Sequence, residues 1–340
     1  MNSISVVTTP YGAERRWEHN ADKDLAGYFN LLYTLLSEQM KLDFSTGGMY
    51  RDKQRSNFYN DYLFLANDLG RNGYYEQKTI ARQMGYTAEN MDIEMVVAAG
   101  DVHHFGGVES VNDPLWMTNF EWIYDHPDLM IDWFAICGNH EYRGNTQAVL
   151  DYTQVSRRWN APAKYYTKVI TSEDGGSCRL VFIDTTPLMD KYRHDSLDYP
   201  DACKQDLTAQ LQWIDSVLIH SAEKWKIVIG HHPVYAETSK DEEERIDMQA
   251  RLAPILKKNK VDVYFCGHIH NFQHIRPNLL GVSYVVNSSA SLSRSVKVIE
   301  GTQFCSPDPG FTICSADNQT FKFFFINNKG KNIYSYTISK

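Results

Sequence analysis

The chain has no block of consecutive Lys and Arg, and its formal net charge is −8 over 340 residues. An acidic chain without a basic stripe argues against nucleic acid or an anionic membrane as a partner. No apolar run approaches the roughly 20 residues that a membrane-spanning helix requires. The segment from Met1 to Asn20 lacks the apolar core of a secretory signal, so the expectation is either a cytoplasmic protein or a natural start other than this one. Cysteine is sparse, with six residues and no C-x-x-C pair, which excludes a zinc ribbon. Cys137 and Cys266 end apolar runs and read as buried small hydrophobes. Cys305 and Cys314 leave an exposed disulfide open as an option, and the even count does not settle the redox compartment. Internal repeats and low-complexity segments are absent.

What is present is ordinary in bulk, with 43% hydrophobic and 22% charged residues, as in a globular α/β protein. Residues 1–56 differ in rhythm from the rest. Leu25, Phe29, Leu32, Leu36 and Met40 recur at helical spacing before Ser45-Thr46-Gly47-Gly48 breaks the pattern. This part is expected to be a helical leader or extension without chemistry of its own, and residues 57–340 to form the main domain.

The main domain repeats one device: a short apolar run that ends in a polar group. Tyr62 to Ala66 runs into Asn67-Asp68-Leu69-Gly70, and Met95 to Ala99 runs into Gly100-Asp101-Val102-His103-His104. Trp133 to Cys137 leads to Gly138-Asn139-His140-Glu141, and Leu180 to Ile183 leads to Asp184. Lys226 to Ile229 leads to Gly230-His231-His232-Pro233, and Val263 to Cys266 leads to Gly267-His268-Ile269-His270. Asp68 and Asp101 lie 33 residues apart, close to the roughly 30 residues of a β-α-β unit. Parallel strands would then bring both carboxylates to one edge of a sheet, where open α/β sheets place their ligands.

Helical stretches are expected from Tyr75 to Met84, Asp206 to His220 and Met248 to Lys257. The later strands, Ser283 to Val286, Phe311 to Cys314, Phe321 to Ile326 and Asn332 to Ile338, are expected to form a second, partly antiparallel sheet. Ser288 to Pro309 reads as a long loop.

Seven of the twelve histidines sit in four of these strand-end segments. Imidazole, carboxylate and amide oxygen together suit first-row divalent or trivalent metals rather than calcium. One carboxylate has two oxygens and can bridge two cations, and Asp101 is the candidate.

In order and spacing these segments resemble the calcineurin-like metallophosphoesterases, most closely the small purple acid phosphatase (tartrate-resistant) type. The matching blocks are Asn67-Asp68-Leu69-Gly70, Gly100-Asp101, Gly138-Asn139-His140-Glu141, Gly230-His231-His232-Pro233 and Gly267-His268-Ile269-His270. Ser156 to Asn160 and Phe182 to Thr185 add likeness between them. The resemblance implies a four-layer αββα sandwich. It implies a first metal held by Asp68, Asp101 and His270, and a second by Asp101, Asn139, His231 and His268. His140 would face the leaving group outside the metal shell, and Asp184 would support the site structurally. It implies two metal ions drawn from iron, zinc and manganese, a small phosphate ester as partner, and an exported location for the relatives.

The sequence departs from the pattern at three places. His104 stands where purple acid phosphatases carry a tyrosinate ligand, either as a nitrogen ligand or as a pocket residue without metal. Asn67 replaces a usual Gly. A second pocket histidine is missing between Tyr235 and Asp247. Around the site, His103 is expected to be structural or solvent-facing. Glu141 either tunes His140 or, as adjacent residues on a turn more often do, points away. His232 and Lys240 are weaker candidates for substrate contact, and Tyr165, Tyr166, Tyr192 and Tyr235 are candidates for stacking on an aromatic leaving group.

The activity implied is hydrolysis of a phosphate monoester. A metal-activated water would attack phosphorus while His140, as imidazolium, protonates the leaving oxygen. The alternatives are a phosphodiesterase or nucleotidase on the same site, or a phospho-ligand-binding module without turnover.

Overall fold

A computed structural model describes residues 2–8, 13–19, 61–172, 174–239, 242–278 and 281–340. The chain divides into two units, Met1–Ser56 and Asn57–Lys340. Of the first, the described part is an antiparallel pair of strands, β1 (Asn2–Thr8) and β2 (Ala13–His19). The helix expected from Leu25 to Met40 lies outside the described residues, as does Lys240.

The second unit holds two seven-stranded sheets. In the first, β3 (Asp61–Ala66), β4 (Ile93–Ala99) and β5 (Asp132–Ile136) run parallel side by side. The short β6 (Trp159–Asn160) closes one edge. On the other side β14 (Gly310–Ala316), β15 (Thr320–Asn327) and β16 (Asn332–Ser339) continue the sheet antiparallel. In the second sheet β8 (Ser177–Phe182), β9 (Trp225–Ile229), β10 (Val263–Cys266) and β12 (Ser283–Val286) are parallel neighbours. Antiparallel strands flank them: β7 (Tyr166–Thr171) on one side, β11 (Phe272–Ile275) and then β13 (Thr302–Ser306) on the other.

Strand alternation builds the four layers. Leu63, Leu65, Met95, Val97 and Ala99 join Leu180, Phe182, Ile227, Ile229 and Phe265 in one buried cluster between the sheets. Their neighbours Phe64, Ala66, Val96 and Ala98, with Val181, Val228 and Tyr264, belong to the cluster that includes the helices. Both faces of each parallel core are thus covered, which is why these strands read as near-continuous apolar runs. Helix Gln77–Asn90 buries Gln77, Ile80, Ala81, Met84, Gly85 and Ala88, one face at 3.6-residue spacing. Helix Leu207–Ile219 begins where the Asp206 carboxylate accepts from the Ala209 N–H at 2.9 Å. Its buried Gln210 clasps the Asp184 backbone, accepting from N–H at 2.8 Å and donating to C=O at 3.0 Å.

Four expectations are corrected. The later strands do not make a sheet of their own: β12 completes the second sheet, and β14 to β16 extend the first. An antiparallel strand can join either edge, and only its pairing decides which. The stretch Ser288 to Pro309 is not all loop, since β13 pairs with β11 inside it. The helical stretch Met248 to Lys257 is two helices, Glu242–Arg251 and Ala253–Lys258, with Pro254 in the first turn of the second. Finally, all six cysteines are free, and Cys314 is buried in β14 of one sheet while Cys305 lies in β13 of the other.

Candidate metal centre

The strand ends that carry the polar blocks converge. Asp68 and Asp101 follow the parallel neighbours β3 and β4, and Asn139 and His140 follow β5. His231 follows β9, and His268 and His270 follow β10. The turns are tight. Asp68, Asp101, His268 and His270 have φ of 51°, 54°, 71° and 61°, the left-handed region. Each such non-glycine residue costs about 1 kcal/mol or more, and such strain gathers where a site needs it. Two glycines are set by close approach. A side chain at Gly138 would come within 2.2 Å of Asp101 Oδ1, and one at Gly100 within 2.6 Å of His231 Nδ1, where φ is also +88°.

Backbone carbonyls orient the imidazoles. His104 Nδ1 lies 3.1 Å from Gly70 O, His231 Nδ1 2.8 Å from Ala99 O and His270 Nδ1 2.7 Å from Leu292 O. A carbonyl only accepts, so each Nδ1 carries the proton and each Nε2 keeps a lone pair for a cation. Asp68 is oriented the same way. Its Oδ2 accepts from Asn67 Nδ2 at 2.6 Å and from the His268 N–H at 2.8 Å, leaving Oδ1 for the centre. Asp101 Oδ1 accepts from the His140 N–H at 2.9 Å. The bridging position therefore falls to Oδ2, which stands 3.0 Å from His231 Nε2, 3.6 Å from His104 Nε2 and 3.9 Å from His140 Nε2.

These contacts test whether the residues fit a metal. Asp68 Oδ1, His104 Nε2, Asn139 Oδ1 and His231 Nε2 are buried and make no hydrogen bond. His270 Nε2 lies only 2.9 Å from Asp68 Oδ1, yet not in hydrogen-bond alignment. Buried polar atoms crowded together without bonds are costly unless something else satisfies them. Two ligands about 2.1 Å from one cation stand about 3.0 Å apart in octahedral and about 3.4 Å apart in tetrahedral geometry. The spacing and the chemistry fit. Asp68, His104 and His270 offer atoms within 4.8 Å of one another, and so do Asp68, Asp101 and His231.

The electrostatics agree. Burial works to raise the Asp68 and Asp101 carboxyls, but the neighbouring imidazoles, His270 for Asp68 and His231 for Asp101, hold both well below the usual range. Burial lowers His231, yet Asp101 outweighs it and raises the imidazole to about 9, so a cation at Nε2 would displace a proton that Asp101 otherwise holds there. His140 is moved down by burial against the pull of Asp101. Its Nδ1 is 2.7 Å from Phe105 O, and the ring is only partly buried, at the edge of the cluster.

Sequence reasoning missed two residues, and for others the structure decides between the readings left open. Glu244, in helix Glu242–Arg251, meets His268 Nε2 at 3.0 Å through Oε2, and its Oε1 accepts from Tyr192 and Lys191 at 2.7 and 2.8 Å. Nothing in its charged surroundings, Asp241 to Arg245, marks it out from a solvated helix face. Arg71, which follows Gly70, is the other. Glu141 does not tune His140. Its carboxylate accepts from the N–H groups of Asp101 at 2.9 Å, Gly138 at 2.7 Å and His103 at 3.0 Å, locking two ligand turns together. Burial pushes that carboxyl up to about 7. His103 does not face solvent; it is buried edge-on to Trp116 at 4.4 Å.

His232 does not reach a substrate: it is buried between Thr185 Oγ1 at 2.8 Å and Tyr192 Oη at 3.3 Å. The four tyrosines are taken up by the fold as well. Tyr166 stacks on Phe182, Tyr165 packs on Trp213, Tyr235 on Tyr284, and Tyr192 bonds Glu244. Asp184 stands apart from the cluster and accepts from the Tyr142 hydroxyl. Asn67, in place of the usual glycine, bonds Asp68 and Asn287 and so helps hold the ligand turn.

Comparison with known proteins adds four findings. A family model described as calcineurin-like phosphoesterase matches residues 63–272. Purple acid phosphatase 4 of Arabidopsis thaliana is 30% identical over 290 residues, covering 82% of this chain and 83% of that protein. Tartrate-resistant acid phosphatase type 5 of Rattus norvegicus is 25% identical over 76% of this chain and 83% of its own length. Among solved structures, GAP50, the anchor in the inner membrane complex of Plasmodium, superposes with a TM-score of 0.70 at 22% identity, over 82% of this chain and 89% of that one, a likeness of fold. Among the described residues no helix is long and apolar enough to cross a membrane. With the ligand-bearing strand ends converging on one edge and the family model spanning them, the chain belongs to the calcineurin-like phosphoesterases.

Proposed function

We propose that this chain hydrolyses phosphate monoesters at a dinuclear metal centre. The observation that carries the reading is the set of buried, unbonded ligand atoms: Asp68 Oδ1, His104 Nε2, Asn139 Oδ1 and His231 Nε2. Asp68, Asp101, His104 and His270 would hold one metal. Asp101, Asn139, His231 and His268 would hold the other. When bound, the metals would supply Lewis acidity for an attacking water and positive charge for the phosphoryl oxygens.

The chain's own residues do the rest. Glu141 and the carbonyls of Ala99, Gly70 and Leu292 fix the ligands before substrate arrives, so no reorganisation accompanies the reaction. The Phe105 carbonyl holds His140 with Nε2 beside Asp101. From there it gives its proton to the leaving alcohol oxygen, a step worth roughly 10²–10⁴-fold. His104 is neutral where related enzymes carry an anionic oxygen, so the centre favours divalent zinc, manganese or ferrous iron over ferric iron.

The test is metal removal with a substrate panel. Chelation is expected to abolish turnover of an aryl phosphate, a divalent metal to restore it, and the loaded protein to carry close to two metals per chain. His140→Ala should lower kcat most for alkyl phosphates while leaving metal content intact. Full activity in metal-free protein, or diester turnover exceeding monoester turnover, overturns the reading. Tight phosphate binding without turnover would make it a binding module.

A further inference from the structure

Arg71 is buried, with 7% of its surface exposed, and among the described residues its guanidinium makes no hydrogen bond and no ion pair. Its backbone N–H is occupied by Gln77 Oε1 at 3.0 Å, so the main chain is pinned while the fork stays open. Its Nε–H is buried without a partner, and a donor that loses water on burial normally has one. The guanidinium carbon lies 4.8 Å from the centre of the Phe105 ring, which is itself 67% exposed. Phe105 also packs edge-on to His104 and His140, each at 6.1 Å between ring centres. The guanidinium thus lies under an aromatic lip of the metal centre, on the side of the leaving group. Asp68 and Asp101 act on it electrostatically, as does the guanidinium of Arg294. Arg294 is exposed, on the loop whose backbone N–H donates to His270 O at 2.8 Å.

The two carboxylates do not account for these arginines. Two divalent cations held by Asp68 and Asp101 leave a surplus of positive charge that one phosphoryl dianion matches. Arg71 and Arg294 add positive charge beyond that. Two like charges at one place repel, and the arrangement is favourable when an anion sits between them.

We propose that Arg71 and Arg294 form a second anion subsite beside the metal centre, and that this phosphatase prefers substrates carrying a second anionic group, phosphate or carboxylate, on the leaving-group side. Arg71 grips with a fork fixed by burial, and Arg294 closes from the exposed loop. The ring of Phe105 covers one face of the Arg71 guanidinium and favours its charge. The inference rests on the phosphomonoesterase reading above.

The experiment is calorimetric binding of three unreactive probes to the full chain loaded with metal: methylphosphonate, methylenediphosphonate and phosphonoacetate. At least one two-headed probe is expected to bind tenfold or more tightly than methylphosphonate. Arg71→Gln and Arg294→Gln should each shrink that ratio at least fivefold. Because both two-headed probes can chelate metal directly, a ratio that survives in both variants overturns the proposal, and so does an equal loss for all three probes. Whichever two-headed probe loses more identifies the second group as phosphate or carboxylate. Arg294→Gln alters an exposed side chain and keeps the test informative if Arg71→Gln does not fold, and Arg71→Lys separates charge from fork geometry. Aryl phosphate turnover by the unmodified chain is measured alongside. Its absence with the probe ratio intact sinks the phosphatase reading and leaves the subsite standing. Turnover with an unchanged ratio in the variants sinks the subsite alone.

Discussion

The two halves of the metal centre are held in different ways. On the Asp68 side the proposed ligands are anchored mainly to main chain: His104 to Gly70 O, His270 to Leu292 O, and Asp68 Oδ2 to the His268 N–H, with the Asn67 amide as a second donor to Asp68. On the other side His231 is anchored to Ala99 O, but His268 leans on a side chain, Glu244, which also holds Tyr192 and Lys191. A carbonyl at a strand end cannot be removed by a side-chain substitution, whereas a carboxylate on a helix can. The first half therefore draws its side-chain support from Asn67 within the ligand turn itself, and the second answers to a residue in a separate element.

Asp101 Oδ2 stands between His104 and His231, and on the proposed bridging role breaking it should erase the difference. Asp101→Asn keeps an acceptor for the His140 N–H but removes the shared negative charge. Metal content should fall at both positions, from near two per chain to below one, by elemental analysis. Activity should drop by about a thousandfold or more, since the bound metals supply several kcal/mol. Retention of one tightly held metal would show that the halves are independent.

Glu244→Ala sharpens the comparison. It should weaken one metal by about 10–100-fold and leave the other unchanged, read as two separated steps in a competitive chelator titration. Glu244→Gln keeps an acceptor and should lose less. Equal weakening at both positions would refute the asymmetry.

His104 tests the Asp68 half. The unmodified enzyme is expected to be colourless or pale. His104→Tyr, loaded with iron under oxidising conditions, should gain a visible absorption band, and His104→Ala should lose metal from the same half. No band in the first variant with full metal in the second would place His104 outside the ligand shell.

Asp184 belongs to neither half and should affect the centre least. Burial raises its carboxyl to about 6, against partial offsets from Lys164 and the Tyr142 hydroxyl. A raised pKa means the folded state holds the proton more tightly than the unfolded one. Stability is then greatest below the ordinary carboxyl pKa and is lost as pH rises to about 6. The amount is on the order of 2–3 kcal/mol. Urea melts in chelator across this range should show the decline, and Asp184→Asn should flatten it. An identical slope in the variant would assign the pH dependence elsewhere.

Much of the centre was legible because parallel strands impose order on a sequence. Each apolar run had to end at an edge, and the residues just past it had to share that edge, which placed Asp68 near Asp101 before any coordinates. The strands themselves were equally plain, as with Val263–Cys266 and Ser283–Val286, which match the observed limits. Glu244 and Arg71 were not legible. Glu244 sits in a run of charge whose helical face is set by packing against Tyr192, and Arg71 looks like any turn arginine until its burial is known. The four tyrosines failed for the converse reason: aromatic residues fit both cores and pockets, and here the core took them.

The sequence by itself determined the parallel strand cores, the polar blocks that end them and the family they belong to, because apolar runs and strand-end turns are local properties of the chain. The tertiary structure alone decided which sheet took the late strands, which oxygen of Asp101 faces His104 and His231, and that Glu244, Glu141 and Arg71 stand around the cluster. Those are contacts between segments tens to hundreds of residues apart, and they form only when two sheets pack and carry their edges to one place.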